Sequence, residues 1–164
     1  MRLNAVAFVD GALQVSGALG EELFVCKRTT RGVAFSRHIK SKVEEVEPGR
    51  IVCRIDVEEV HLNGNGTLHG GVYAPLIDNG TGLSVAALVG FRTATIALDV
   101  HFLGAVRAGA IRCSAEVVHR TRRIATVEAR VRDGEGDLVA LGTGTFRIFE
   151  KRGDPHDRVE GGVA

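Results

Sequence analysis

The sequence predicts an α+β domain in which one long apolar helix packs on a face of an antiparallel sheet. Three observations carry that prediction. The apolar run from Val72 to Val89 is too long for a strand and reads as a buried helix. Four segments that alternate apolar and polar residues follow it, joined by short turns, and another precedes it. A chain of 164 residues is long enough to bury a real core in one domain.

Taken in order, residues 1–31 form an N-terminal extension with a hairpin signal at Asp10-Gly11. Gly32 to Val46 spaces Val33, Phe35, Ile39, Val43 and Val46 among charged residues, which predicts a helix that Pro48-Gly49 ends as a turn. Ile51 to Glu58 alternates and predicts a half-buried strand. After the central helix, Thr95 to Phe102 places Ile96, Leu98, Val100 and Phe102 on one face. Ile111, Cys113, Ala115 and Val117 repeat the pattern, as do Ala125, Val127, Ala129 and Val131, and Leu138 to Phe149 closes the domain. The turns between them, Arg107-Ala108-Gly109, Arg120-Thr121-Arg122 and Asp133-Gly134-Glu135-Gly136, have turn chemistry. Residues 32–150 are thus the domain, and residues 151–164 are a polar, glycine-rich flexible tail. A helix on one face leaves the other face or an edge of the sheet to be covered, which favours an oligomer.

Composition excludes several functions. Lysine and arginine number 21 against 20 acidic residues, so no net charge points to nucleic acid or an anionic membrane. Cys26, Cys53 and Cys113 are odd in number and form no CxxC, which argues against a disulfide framework or a zinc site and for a reduced compartment. No apolar run is read as a membrane span. Asp10, Glu21 and Glu22 argue against a secretory or mitochondrial leader, so the expectation is cytoplasmic, with a mitochondrial location as the alternative.

Chemistry concentrates in Asn63-Gly64-Asn65-Gly66-Thr67-Leu68-His69-Gly70-Gly71 and in Asp78. Unpaired N–H groups at the start of a helix, at the positive end of its dipole, can hold an oxyanion. A carboxylate two turns into an apolar helix is poorly solvated, hence a candidate base or nucleophile. Together they suggest carbonyl chemistry. The ordinary readings compete: aspartate is commonly a surface acid, asparagine a turn residue and threonine a strand residue. His61 and His69 have no third ligand at metal-binding spacing, so no metal is expected.

Several separated segments resemble, in order and spacing, the hotdog-fold acyl-CoA thioesterases of the phenylacetate-pathway and eukaryotic long-chain group. They are Val57 to Asn63, Gly66 to Gly71, Leu76-Ile77-Asp78-Asn79, Thr95 to Leu103 and Leu138 to Gly142. The resemblance implies a hotdog fold and hydrolysis of acyl-CoA to free acid and CoA, with no separate cofactor. It implies Asp78 as the carboxylate that activates water or attacks the thioester, and Gly70 as the N–H that binds the thioester oxygen. Asn63 would assist, Thr95 would stand where eukaryotic relatives carry a serine near the water, and His69 lies beside the group. Pro75 departs from relatives, which usually carry a small or hydroxylated residue there; within a helix it removes a hydrogen bond and can kink the axis.

Spacing adds a constraint. Gly70 and Asp78 are about 12 Å apart along one helix, at roughly 1.5 Å per residue, whereas one reacting carbonyl needs both within a few ångströms. Two copies are therefore expected to share each site, as a dimer or a dimer of dimers. Arg120, Arg122 and Arg123 are candidates for the CoA phosphates, with Arg107 second; the alternative is an ordinary solvated turn. Tyr73, Leu76, Val85 and Phe102 are candidates for the acyl pocket. A hotdog acyl-CoA hydratase or dehydratase, and a non-catalytic acyl-CoA binding module, are the rival functions.

Overall fold

The computed structural model describes residues 35–90 and 92–149 in full, and the backbone of residue 34 and of three strands nearer the N-terminus. Those strands, β1 (Ala5–Val9), β2 (Ala12–Ser16) and β3 (Glu22–Phe24), form a small antiparallel sheet. Val9 pairs with Ala12 across the expected hairpin position; Asp10-Gly11 themselves, Cys26 and the C-terminal tail lie outside the described residues.

The main body is a short helix α1 (Ala34–His38), strands β4 (Lys42–Glu47) and β5 (Arg50–Asp56), the long helix α2 (Gly70–Val89), and strands β6 (Arg92–Phe102), β7 (Ala110–Arg120), β8 (Ile124–Arg132) and β9 (Leu138–Phe149). The six strands form one antiparallel sheet in the order β4-β5-β7-β8-β9-β6, so β4 and β6 are its edges. Helix α2 packs against all six. This is the hotdog architecture that the resemblance implied.

The core lies between α2 and the sheet. Ile55, Leu76, Ile77, Val85, Ile111, Cys113, Ala125, Val127, Ala129 and Val131 are fully buried there. The two middle alternations were legible, since every residue expected to face inward on β8 does so. Close approach of helix and sheet favours glycine at two places on β9: a Cβ on Gly142 would lie 3.1 Å from the Ile77 side chain on α2, besides 2.6 Å from the Asp99 carbonyl of β6, and one on Gly144 would lie 3.1 Å from Thr81 Oγ1. Thr81 and Ser84 are buried on α2 but satisfied, donating to the carbonyls of Ile77 and Thr81 at 2.7 and 2.8 Å.

Two sequence readings need correction, and both fail for the same reason. Gly32 to Val46 is not one helix: α1 stops at His38, Lys40 takes a left-handed φ of 54°, and Lys42–Glu47 is an edge strand. A β-bulge between Val43 and Glu45 puts Val43 and Val46 on one face, three residues apart, which imitates helical spacing. On β6 a bulge between Thr95 and Ala97 takes Ile96 out of the expected row, so the inward face carries Thr95, Leu98, Val100 and Phe102. Ile96 is left 57% exposed.

By length and composition α2 alone among the described helices would suffice to cross a membrane, with mean hydropathy 1.2 over its most apolar window. Half of that window is buried in the fold, where the helix forms the core against the sheet. The outer face of the sheet carries ion pairs: Arg54 with Asp56 (2.8 Å), Arg112 with Glu44 (2.8 Å), Arg50 with Glu45 (2.9 Å) and Arg130 with Glu128. Of the six large apolar side chains exposed among the described residues, Ile96, Phe102 and Leu103 gather on edge strand β6 and directly after it, while Phe35, Val60 and Val118 lie apart.

Candidate active site

The approach to α2 is a built turn. Asn63 Oδ1 accepts from the N–H groups of Asn65 (2.9 Å) and Thr67 (3.3 Å), and its Nδ2 donates to Thr67 Oγ1 at 3.0 Å. Gly66 supplies the left-handed φ of 67° that closes the turn. Before it, His61 is buried and accepts from the Glu58 N–H through Nδ1 at 3.0 Å, while its Nε2 has no partner among the described residues.

His69 caps α2 with extended backbone (φ −68°, ψ 137°) and a side chain whose Nδ1 accepts from the Gly71 N–H at 2.7 Å. The Val72 N–H goes to the His69 carbonyl at 2.8 Å. The Gly70 N–H is then without an acceptor among the described residues, at the positive end of a 20-residue helix. A side chain at Gly70 would meet the Phe102 ring at 3.2 Å, so glycine keeps the approach to that N–H open.

Two turns on, Asp78 is half-buried on the side of α2 that faces edge strand β6. The helix continues unbroken through Pro75, and Asp78 Oδ1 accepts a 2.9 Å hydrogen bond from Thr95 Oγ1. The β6 bulge makes this contact by turning Thr95 inward in place of Ile96. The sequence-named residues therefore fall into two groups: Gly70 and His69 at the start of α2 beside Phe102, and Asp78 with Thr95 further along. Asn63 is engaged with its own turn.

The arginines also divide. Arg107 Nη1 donates to the Asn65 carbonyl at 3.3 Å, which places it over the turn before Gly70. Arg120, Arg122 and Arg123 are exposed on the β7–β8 turn, where Thr121 Oγ1 accepts from the Arg123 and Ile124 N–H groups. That turn is at the Thr95 end of the sheet, since Arg120 pairs with Ala125, Ala125 with Phe146 and Phe146 with Thr95.

Of the pocket candidates, Leu76 and Val85 are core residues with no exposed surface. Phe102 stays half exposed, its ring 5.8 Å from that of Tyr73. Tyr73 is buried with its hydroxyl unpartnered, and burial pushes the phenol above its ordinary pKa, with Asp133 adding to the shift. Sequence reasoning missed that Phe102 lies against Gly70; only its place on the inward row of β6 signalled it.

The chain's sequence and its helix-on-sheet fold match known proteins. The Thioesterase superfamily profile covers residues 65–140, which include Gly70, Asp78 and Thr95. Human acyl-coenzyme A thioesterase 13 is 30% identical over 131 residues, spanning 76% of this chain and 91% of that protein. The chain belongs to the thioesterase superfamily. Among solved structures, zebra fish thioesterase superfamily member 2 superposes with a TM-score of 0.68 at 27% identity, over 75% of this chain and 92% of its own. A mutant form of the phenylacetic acid degradation protein PaaI from Thermus thermophilus gives 0.66 at 30% identity, over 70% of this chain and 98% of its own. The protein is an enzyme, a thioester hydrolase.

Proposed function

We propose that the substrate is an acyl-CoA, hydrolysed to free acid and CoA in a site shared by two copies of the chain. The observation that carries this reading is the unclaimed Gly70 N–H, together with an Asp78 carboxylate already held by Thr95 but about 12 Å further along the same helix. Within one copy they cannot meet on one carbonyl. Across a two-fold axis, Gly70 of one copy faces the partner's Asp78.

In that arrangement the thioester oxygen accepts from the Gly70 N–H, and charge developing on it is stabilised by the helix end. Asp78 takes the proton of a water whose oxygen attacks the carbonyl carbon, and the Thr95 hydroxyl fixes the carboxylate. The tetrahedral intermediate collapses with cleavage of the C–S bond, and the CoA thiolate leaves and takes up a proton. Attack by Asp78 itself, through an anhydride, is the alternative chemistry. His69 positions the helix start, and Asn63 shapes the turn that leads to it. Neither route needs a metal or a separate cofactor. Arg107 on the Gly70 side and Arg120, Arg122 and Arg123 on the Thr95 side are the candidates for the phosphates of CoA, which the planar guanidinium suits.

The test is thiol release from short, long and aromatic acyl-CoAs by the native chain and by Asp78→Asn. Native turnover that falls by roughly 10²-fold or more in the variant, in the range of a lost general base, with oligomeric state unchanged, is the expected result. Absence of turnover on every thioester would overturn the reading in favour of a hydratase or a binding module.

A further inference from the structure

Helix α2 carries a buried polar group that neither the fold nor the hydrolytic mechanism uses. Tyr73, the chain's single tyrosine, is 2% exposed, and its hydroxyl has no hydrogen-bond partner among the described residues. A buried phenol ordinarily finds a partner, because one left unpaired bears the full desolvation of its O–H. Thr81 and Ser84 on the same helix show the usual solution, each donating to a carbonyl one turn back. The phenol oxygen of Tyr73 stands at the end of a long rigid side chain, out of reach of its own helix.

The position of Tyr73 relates that hydroxyl to the substrate. It follows Gly70 by three residues, about 4.5 Å along the axis and on the same side of the helix. Phe102 spans the two: a side chain at Gly70 would meet its ring at 3.2 Å, and the ring centroid lies 5.8 Å from that of Tyr73. Phe102 is 56% exposed, so its ring has solvent to swing into. An acyl chain whose carbonyl oxygen is held at the Gly70 N–H, and which displaces that ring, runs toward Tyr73.

The surroundings restrict what the hydroxyl can bind. Burial keeps the phenol protonated, so it is a donor, and Asp133 adds to that effect. The Asp133 carboxylate, whose Oδ1 accepts from the Glu135 and Asp137 N–H groups at 3.0 Å each, repels a second anion near the phenol. The rings of Tyr73 and Phe102 are tilted by 60°, which leaves no parallel slot for an aryl group and suits a flexible chain. An oxygen on the β-carbon of the acyl chain would lie beside the thioester at Gly70, a turn short of Tyr73.

We propose that Tyr73 determines specificity: its hydroxyl donates to a neutral oxygen, hydroxyl or ketone, carried part-way along an aliphatic acyl-CoA. The inference rests on the acyl-CoA reading and narrows it. A plain hydrocarbon chain leaves the phenol unpaired and is the poorer substrate.

The experiment compares kcat/KM for decanoyl-CoA, β-hydroxydecanoyl-CoA and decanoyl-CoAs hydroxylated at successive mid-chain carbons. The native chain is expected to prefer one mid-chain hydroxyl over the plain and β-hydroxy chains by roughly tenfold or more, as a partnered buried donor requires. Tyr73→Phe is expected to abolish that preference through KM and, having lost an unpaired hydroxyl, to show no lower Tm than the native chain. A dicarboxylic acyl-CoA with its free carboxylate at the preferred carbon is expected to be a poorer substrate than the hydroxylated chain. No preference at any mid-chain position, a preference that survives Tyr73→Phe, or a better dicarboxylic substrate would overturn the proposal. Equal losses on every chain in Tyr73→Phe, with a lowered Tm, would overturn it too, by making the hydroxyl structural. Turnover of decanoyl-CoA without any preference overturns the specificity alone, whereas no turnover of any chain overturns the acyl-CoA reading and the specificity with it.

Discussion

At Gly70 the relevant group is a single backbone N–H, and the structure offers a way to delete it without disturbing the helix. Gly70 is the first residue of α2, where proline is favoured because its missing N–H has no helical acceptor. His69 already has the extended backbone that a residue before proline adopts. Gly70→Pro is therefore expected to keep the fold and lower kcat by roughly 10²–10³-fold, the range for losing one oxyanion donor. Gly70→Ala keeps the N–H and moves only Phe102, so it should lose far less; equal losses in the two variants, measured as kcat on one acyl-CoA, would count against the N–H. The residue types at Gly70 and Asp78 were legible in the sequence because a glycine turn, a helix start and a buried-helix carboxylate are each local signals. The link between Thr95 and Asp78 was not visible in the residues themselves, since it depends on a bulge 17 residues downstream.

At the level of elements, β9 and α2 are fitted to each other by the absence of side chains. Gly142 stands where any Cβ would press on the Asp99 carbonyl and on Ile77. Gly142→Ala should accordingly cost about 1–3 kcal/mol, as overpacking does, read from the denaturant midpoint at unchanged slope. On the outer face, hydrogen bonds from Arg54 and Lys42 hold the Asp56 carboxyl below its ordinary range. A lowered folded pKa gives stability that is present above the unfolded value near 4 and is lost as pH falls through the folded value. Asp56→Asn should thus make acid unfolding below about pH 4 less steep than in the native chain, followed by circular dichroism, with little change near pH 7. These elements also show where periodicity misleads. A bulged strand spaces its inward residues by three, as in Val43 and Val46, and no pattern within the segment distinguishes that from a helix.

For the whole molecule, a site divided between copies makes activity depend on association. Specific activity is expected to fall on dilution through the dimer dissociation range and to recover on concentration, followed by thiol release beside light scattering; constant specific activity in a monomeric sample would contradict a shared site. The sequence by itself determined the class of the fold, the long helix, the inward rows of β7 and β8 and the candidate glycine and carboxylate, because helix length, alternation and turn chemistry are properties of neighbouring residues. Tertiary structure decided the rest. It showed that β4 is a strand, that Thr95 and not Ile96 faces Asp78, that Leu76 and Val85 belong to the core, and that β6 is the bare edge. Each depends on which strands lie beside one another, and strand pairing joins residues far apart in the chain, where no local pattern records it.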